Sequence, residues 1–415
     1  MPQFIRLGFF LALRQMRRAS KWTTGLIIFV MTLTFLNLVV VSGILVGLIE
    51  GAVEANKQFY TSDIIISKLE KKNFIEQSPL IENIVNSLPE VSSMSARYIE
   101  SGRIEANYRE AANADEIGTA GGTFVGINPE AEDALTGISR FIVEGEYLSS
   151  EDYDQILIGG YLLKRYFPVE SPGFATLADV EIGDKVRITV GEVTREVGVK
   201  GIVMSKVDEV STRVFFVDKQ FRELIGRDDY NIDEISIKLV AGTDPTIVKE
   251  ALIRSGVAEF ARVQTFEDAQ PKFLKDIKAT FALLGNLISS IGLVVASITI
   301  FIVIFINAIT RRKFIGILKG IGVSGRTIET SYVFQSFFYA ACGSAIGVAI
   351  LYGFLEPFFL AHPIDFPFSD GILVAPLSGT VIKIFILMAT TIIAGYIPAR
   401  MIIRRNTLDS ILGRN

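Results

Sequence analysis

The sequence predicts a membrane protein with four transmembrane helices and a large α+β extracytoplasmic domain inserted between helices 1 and 2. Three observations carry this prediction. Apolar runs occupy Trp22–Ile49, Ala279–Thr310, Thr330–Leu355 and the stretch around Val381–Ala399. Each is at or near the ~20 residues a helix needs to cross hydrocarbon. The block between the first two runs, residues 50–278, holds 40 acidic and 26 basic residues, a balance of −14 in a chain whose total is −4. Within that block, short alternating patterns and short helical patterns mix without a regular βαβ rhythm, which points to α+β.

The chain opens with residues 1–21, read as an amphipathic helix. It carries Arg6, Arg14, Arg17, Arg18 and Lys21 and no acid. The first span follows at 22–49. Its apolar run is much longer than the core of a cleavable signal, and no small-residue cleavage pattern follows, so it is expected to remain as an anchor.

Residues 50–278 form the inserted domain with its stalks. Strands are expected at Asp63–Ser67, Gly102–Ala106, Gln155–Gly160, Asp184–Val190, Glu196–Val203, Val214–Val217, Glu234–Leu239 and Ala261–Thr265. Helices are expected at Pro79–Leu88, Tyr161–Phe167 and Thr246–Ser255. Residues 109–123 are polar, small and glycine-rich, and read as a flexible loop. The acids Glu144, Glu146, Glu151, Asp152 and Asp154 read as a solvated loop rather than an acid–base pair. Thr265-Phe-Glu-Asp268 fits a capping box, and nothing after Pro271 breaks the helix before Thr310. The second span, 279–310, is thus expected to extend outward as a stalk. The first is expected to do so through Glu50–Tyr60.

The loop 311–329 carries Arg311, Arg312, Lys313, Lys319 and Arg326. Spans three and four, 330–355 and 377–400, flank an outer loop at 356–376, and the tail 401–415 carries Arg404, Arg405 and Arg414 against Asp409. With four spans, the N-terminus, the loop 311–329 and the tail share one side. The positive-inside rule makes that side cytoplasmic. Apart from Arg400 at its last position, span four holds one charge, Lys383, placed where it can snorkel to the outer interface. Cys342, the single cysteine, lies within span three, so no disulfide forms within the chain. His362, the single histidine, sits in the outer loop and reads as solvated, leaving little for a metal site. Gly43-x-x-x-Gly47 in span one and Gly343-x-x-x-Gly347 in span three would allow close helix packing.

Two nucleotide-binding patterns hide in the loop. Gly320–Gly325 matches G-x-G-x-x-G, and Gly320–Thr327 matches a phosphate loop with Arg326 where lysine belongs. Both need a preceding strand in an α/β unit. Here a membrane span precedes and another follows within a few residues, so both are rejected. The better reading is a short amphipathic helix, Lys313–Ile321, with Ile315, Leu318, Phe314 and Ile321 facing lipid or a partner groove. Gly320, Gly322 and Gly325 then turn the chain into span three.

At this loop the sequence resembles the FtsX-like ABC permeases, the family of the macrolide-exporter and lipoprotein-release permeases. Ile315-Gly-Ile-Leu-Lys-Gly-Ile-Gly-Val-Ser324 follows the family's coupling segment closely. Phe314 stands where members typically have glutamate. Pro398-Ala-Arg-Met, Asn406–Leu412 and Ala12-Leu-Arg14 are similar to the family's tail and N-terminal helix. Ile-Gly before Asp184, the strand-rich middle and Gly201-Ile look most like the lipoprotein-release type.

The resemblance implies a permease subunit, not an enzyme, in a bacterial cytoplasmic (inner) membrane with both termini cytoplasmic. It implies a separate cytoplasmic ABC ATPase subunit dimer that binds ATP and Mg, and a second permease in a homo- or heterodimer. The coupling residues would be Phe314, Ile315, Gly316, Ile317, Leu318, Lys319, Gly320, Ile321 and Gly322. Movement of the outer domain would drive export or release of a lipidic or amphiphilic substrate, such as a lipoprotein or hydrophobic drug. Membrane lipids and a periplasmic carrier or adaptor are the further partners, and nucleic acid is not one. An alternative stays open: a non-transporting transmitter that activates an extracytoplasmic partner such as a cell-wall hydrolase.

Overall fold

The computed structural model describes residues 3–18, 20–109, 118–167, 175–178, 180–270, 272–362, 364–366, 369–371 and 373–403. In chain order, helix α1 is Gln3–Arg18, and α2 (Lys21–Leu36) and α3 (Ser42–Asn56) are joined by a π-helical stretch, Asn37–Val41. Strands β1 (Ile64–Lys68), β2 (Val91–Ala106), β3 (Gly118–Ile127), β4 (Ile142–Gly145) and β5 (Gln155–Gly159) follow. After them come β6 (Lys185–Val190), β7 (Val193–Val203), β8 (Arg213–Val217), β9 (Glu234–Leu239) and β10 (Ala261–Thr265). Between them lie α4 (Ser78–Asn86), α5 (Pro129–Thr136), α6 (Asp208–Ser211), α7 (Asp218–Leu224) and α8 (Pro245–Arg254). The chain closes with α9 (Phe266–Ala269), α10 (Lys272–Thr310), α11 (Arg312–Gly320), α12 (Gly325–Ile350), α13 (Glu356–Ala361) and α14 (Leu377–Ile403).

Two compact units result. One holds Met1–Glu50, Asp276–Phe366 and Asp370–Asn415; the other holds Gly51–Lys275 and Pro367–Ser369. Among the described residues, four helical stretches are long and apolar enough to cross a membrane: Lys21–Thr61, Lys275–Thr310, Gly325–Ala361 and Leu377–Ile403. The first and third run past the ends that hydropathy alone would set, the first through Glu50–Thr61 and the third through Glu356–Ala361.

In the helical unit α12 turns the usual polarity inside out. Buried positions of α12 are small or polar: Thr327, Ser331, Tyr332, Gln335, Ser336, Gly343, Ser344 and Gly347 among them. Its large apolar residues Phe337, Phe338 and Ile346 point outward. Small inward residues let helices approach where lipid offers no hydrophobic drive to association. On α10 an inward stripe of Ala296, Ile300, Ile304 and Ala308 repeats every fourth residue. Ile291, Ile298, Ile302 and Ile306 on the same helix stay exposed.

The other unit is built on one ten-stranded mixed sheet, ordered β10-β1-β9-β2-β3-β8-β5-β7-β4, with β6 pairing β2 and β7. Pairs β3/β8 and β5/β7 are parallel. Strand β8 shows why the sheet reads as apolar on both faces. Val214 and Phe216 enter one core with Phe124, Ile156 and Ile202, while Phe215 enters a second with Val125, Ile127 and Leu157. Successive side chains on a strand point to opposite faces, so both faces are covered. The second core also takes Ala55, with Phe59 and Tyr60 packed against it.

Three local expectations are corrected. Residues 118–123 are strand, not loop: β3 pairs along β2 from Gly118↔Ala106 to Ile127↔Arg97. Residues 110–117 of that expected loop lie outside the described residues. Tyr161–Phe167 is not a helix, because only Gly160–Leu162 makes a 3₁₀ turn. Leu177 donates its N–H to the Leu162 carbonyl, and its own carbonyl accepts from the Lys164 N–H, so the backbone pairs across the chain. The acids around 144–154 are not simply solvated. Glu144 pairs with Arg165 at 2.7 Å, Asp152 with Lys200 at 2.6 Å and Asp154 with Arg195 at 2.7 Å. The Thr265–Asp268 capping box is present with both reciprocal bonds. It caps only the short α9; the long helix starts afresh at Lys272.

Candidate functional site

The loop helix α11 is closed by its own sequence. Gly322 has φ +93°, a left-handed conformation that glycine adopts without a Cβ penalty. The Val323 N–H bonds the Leu318 carbonyl at 2.9 Å and the Gly322 N–H bonds the Lys319 carbonyl at 3.0 Å. That is a Schellman motif, with Leu318 and Val323 packed against the same apolar cluster. Ser324 then caps α12, accepting the Thr327 N–H.

The inward face of α11 differs from the expected one. Ile315 is buried in the cluster of Ile304, Ala308 and Ile328, and Leu318 is half-buried against it. Gly316 is buried, and the Lys319 ammonium donates to the Ile403 carbonyl at 2.8 Å. Phe314, Ile317 and Ile321 are 50%, 53% and 73% exposed. These numbers decide the face: positions 314, 317 and 321 follow helical spacing and form one outward stripe. Ile315 and Leu318 therefore anchor the helix to the bundle rather than meet lipid or a partner. Gly320 is exposed with open space around it, as is Gly322.

The small residues of the spans sit at close approaches within the helical unit. A Cβ on Gly343 would run into Met31, and one on Gly347 into the Phe35 ring. A Cβ on Gly43 would lie 2.8 Å from the Val374 carbonyl oxygen, and Gly47 is buried. Two further approaches rest on single glycines that spacing could not reveal. Gly395 meets Ser336, and Gly292 meets Asn37. Lys383 does not snorkel outward: it is half-buried and its ammonium donates to the Ser42 hydroxyl. Ser42 sits just past the π-helical stretch, where the Leu38 carbonyl also accepts from Ser42 and from Ser289. Helix α1 lies against α12, with Phe9 edge-on to Phe334 and Gln335 donating to Gln15 at 2.6 Å. Glu50 of α3 and Lys278 of α10 pair at 3.0 Å. His362 is exposed, with its ring stacked on Phe358.

Sequence reasoning missed a buried charge network in the sheet unit. Arg97 on β2 is 1% exposed. Its guanidinium donates twice to Glu132 of α5, at 2.9 and 2.7 Å, and to Glu234 of β9 at 2.7 Å. It also donates to Ser236 and to the Tyr60 carbonyl. Two guanidinium groups lie over the Tyr60 ring, Arg97 at 4.9 Å and Arg213 at 4.6 Å from its centroid. Its hydroxyl donates to Glu234 and accepts from Arg213. Burial alone would depress the Arg97 pKa, but Glu132 and Glu234 outweigh it and hold the group charged. Two arginines and two glutamates balance, which is how buried charges are tolerated. β2 carries Arg97, Glu100, Arg103 and Glu105, and nothing in its sequence sets Arg97 apart as the buried one. Glu132 lies on a helix the sequence did not reveal.

Residues 286–407 match the family model of the FtsX-like permease C-terminal domain. The resemblance seen in Ile315–Ser324 and Pro398–Met401 falls inside that stretch and is borne out. A probable export ATP-binding/permease protein of Pseudomonas fluorescens is 20% identical over 183 residues, covering 43% of this chain and 27% of that protein. The macrolide export ATP-binding/permease protein MacB of Campylobacter fetus is 24% identical over 192 residues, covering 44% and 28%. The chain thus spans little more than a quarter of the length of the curated relatives it matches. Among solved structures, the periplasmic region of MacB from Actinobacillus actinomycetemcomitans gives TM-score 0.36 at 15% identity, over 52% of this chain and 94% of that one. The extracellular domain of the ABC-type transporter YknZ from Gram-positive bacteria gives 0.33 at 13%, over 49% and 100%.

Proposed function

We propose that this chain, with its FtsX-like permease domain at 286–407, is the permease subunit of an ABC export system. A separate cytoplasmic ATPase dimer binds ATP and Mg and docks on α11. Its work moves the domain at 50–278, on the outer side of a bacterial cytoplasmic membrane, and drives export or release of a lipidic or amphiphilic substrate. Two permeases pair in the complex, with a periplasmic carrier or adaptor as the downstream partner. The names of the curated relatives, which join ATP binding to a permease, support the use of ATP.

One observation carries the coupling role. A nine-residue helix is fixed on one face by Ile315, Leu318 and Lys319 and leaves Phe314, Ile317 and Ile321 uncovered on the other. A short anchored helix with an apolar outer stripe is a lever for an apolar groove. Phe314 sits on that stripe, so docking here rests on apolar contact where the family's glutamate would supply charge.

The test is co-purification of the chain with the cytoplasmic ABC ATPase of its own organism, comparing wild type with Ile317→Asp. Capture by wild type and loss in Ile317→Asp is the expected result. No capture by wild type, or equal capture by both, removes the coupling reading. If the ATPase binds but no amphiphile is exported, the transmitter alternative takes its place.

A further inference from the structure

We propose that the helical unit holds a site for one anionic phospholipid of the bilayer, with its phosphate against Lys383 and an acyl chain in a groove between α10 and α14. This rests on the chain's spanning a membrane and not on the export reading. The groove measures about 340 Å³. Ile298 and Phe301 of α10 and Ile393, Ala394 and Ile397 of α14 line it with hydrocarbon. Its two hydroxyls are turned back on their own helices. Ser297 donates to the Leu293 carbonyl and Thr390 to the Ile386 carbonyl, each at 2.8 Å. Both helices belong to the membrane-spanning stretches, and Ile298, Ile393 and Ile397 are exposed, so the groove opens onto lipid. A hydrocarbon chain fits such a lining, and a polar solute does not.

Charge selects the head group. Lys383 lies on the same face of α14 as Thr390, Ala394 and Ile397, at successive spacings of seven, four and three residues. It stands two turns, about 10 Å, nearer the N-terminal end of the helix than Thr390. Its half-buried ammonium has three N–H donors. The Ser42 hydroxyl takes one, and among the described residues no other acceptor and no carboxylate meets the group. Ser42 brings no negative charge, and its own hydrogen is spent on the Leu38 and Val39 carbonyls. Glu50, eight residues beyond Ser42, is held by Lys278, and Glu356 of α13 forms no ion pair among the described residues. An intramembrane cation without a counter-ion favours an anionic ligand. A free anion would leave the groove empty, and a bare hydrocarbon chain would leave the ammonium unpaired. A lipid with a net negative head group satisfies both, with its phosphate near the end of the span and its chain toward the middle.

The full chain in a non-ionic detergent is titrated with dioleoylphosphatidylglycerol or dioleoylphosphatidylcholine, and bound lipid is counted by native mass spectrometry. Wild type should hold one phosphatidylglycerol about ten- to hundredfold more tightly than phosphatidylcholine, the worth of one charge-assisted contact. Lys383→Gln should remove that preference, and Lys383→Arg should keep it. Arg14→Gln, which removes an exposed cation from α1, should leave it unchanged. Ser297→Phe, which fills the groove from α10, should weaken phosphatidylglycerol binding. Thermal unfolding confirms that each variant folds; should Lys383→Gln not fold, the preference of wild type and the Ser297→Phe loss decide. Equal affinity of wild type for the two lipids overturns the proposal. So does an equal loss in Lys383→Gln and Arg14→Gln, or undiminished binding in a folded Ser297→Phe protein.

Discussion

Replacing Arg97 by methionine is the sharpest test of how the sheet unit is held together. Methionine keeps much of the arginine stem's volume and removes the charge. Glu132 and Glu234 then remain buried with no opposite charge between them, and the Tyr60 and Ser236 oxygens each lose a donor. Removing one partner of a buried ion pair costs about 3–5 kcal/mol. For a unit of this size, each kcal/mol moves the melting temperature by about 2–4 °C, so a fall of about 10 °C is expected. The cost comes from stranded charge, not lost packing. The triple variant Arg97→Met, Glu132→Gln, Glu234→Gln should therefore recover about half or more of the loss, since buried ion pairs and neutral replacements are close in energy. The assay is thermal unfolding of the full chain in detergent, followed by circular dichroism. A single variant that melts within about 2 °C of wild type would refute the reasoning. So would a triple variant no more stable than the single.

Leu318→Asp should lower the melting temperature, because it places a charge against a buried cluster; Ile317→Asp should leave stability within about 0.5 kcal/mol, as exposed substitutions do. Gly347→Leu should prevent folding or sharply reduce the yield of folded protein in membranes, since even its Cβ meets the Phe35 ring, whereas Gly353→Ala, with open space around it, should be silent. Gly322→Ala should cost about 1 kcal/mol or more through its positive φ. Glu82 and Asp218 have folded pKa values raised by burial. Their contribution to stability is fully present below their unfolded values and is lost as pH rises through the raised folded ones. Glu82→Gln should therefore raise the melting temperature at neutral pH, and the gain should vanish near about pH 4, where wild type is itself protonated. A gain that persists in acid would exclude this cause.

The spans were legible because ~20-residue apolar runs have few other uses. The first span's continuation through Glu50 and Glu54 was expected as a stalk; the third span's continuation through Glu356–Ala361 was not, because hydropathy falls at Glu356 while backbone bonding does not. Strands β6 and β7 announced themselves by clean alternation. Strand β3 did not: Gly121 and Gly122 interrupt the pattern, and only pairing with β2 makes the stretch extended. The loop motif located α11 correctly but could not orient it. Phe314, Ile315, Ile317 and Leu318 spread over both faces of a nine-residue helix, so the choice of inward face is made by the neighbouring helices. The Arg97 network was illegible for a similar reason. Arg97 is 35 residues from Glu132 and 137 from Glu234 in sequence, and no local pattern joins them.

The π-helical stretch at Asn37–Val41 has a consequence for the first helix as a ribbon of residues. A π turn accommodates one residue more than an α turn, so every side chain beyond it is advanced by about 100° relative to an uninterrupted helix. Gly43 faces Leu373 and Val374 only because of that phase shift. Removing a single residue between Asn37 and Val41 would restore a regular helix and carry Gly43 and Gly47 about a quarter-turn away from their present contacts. In this helix, residue count sets which way the half beyond Val41 faces, and a one-residue deletion there should do more harm than most substitutions.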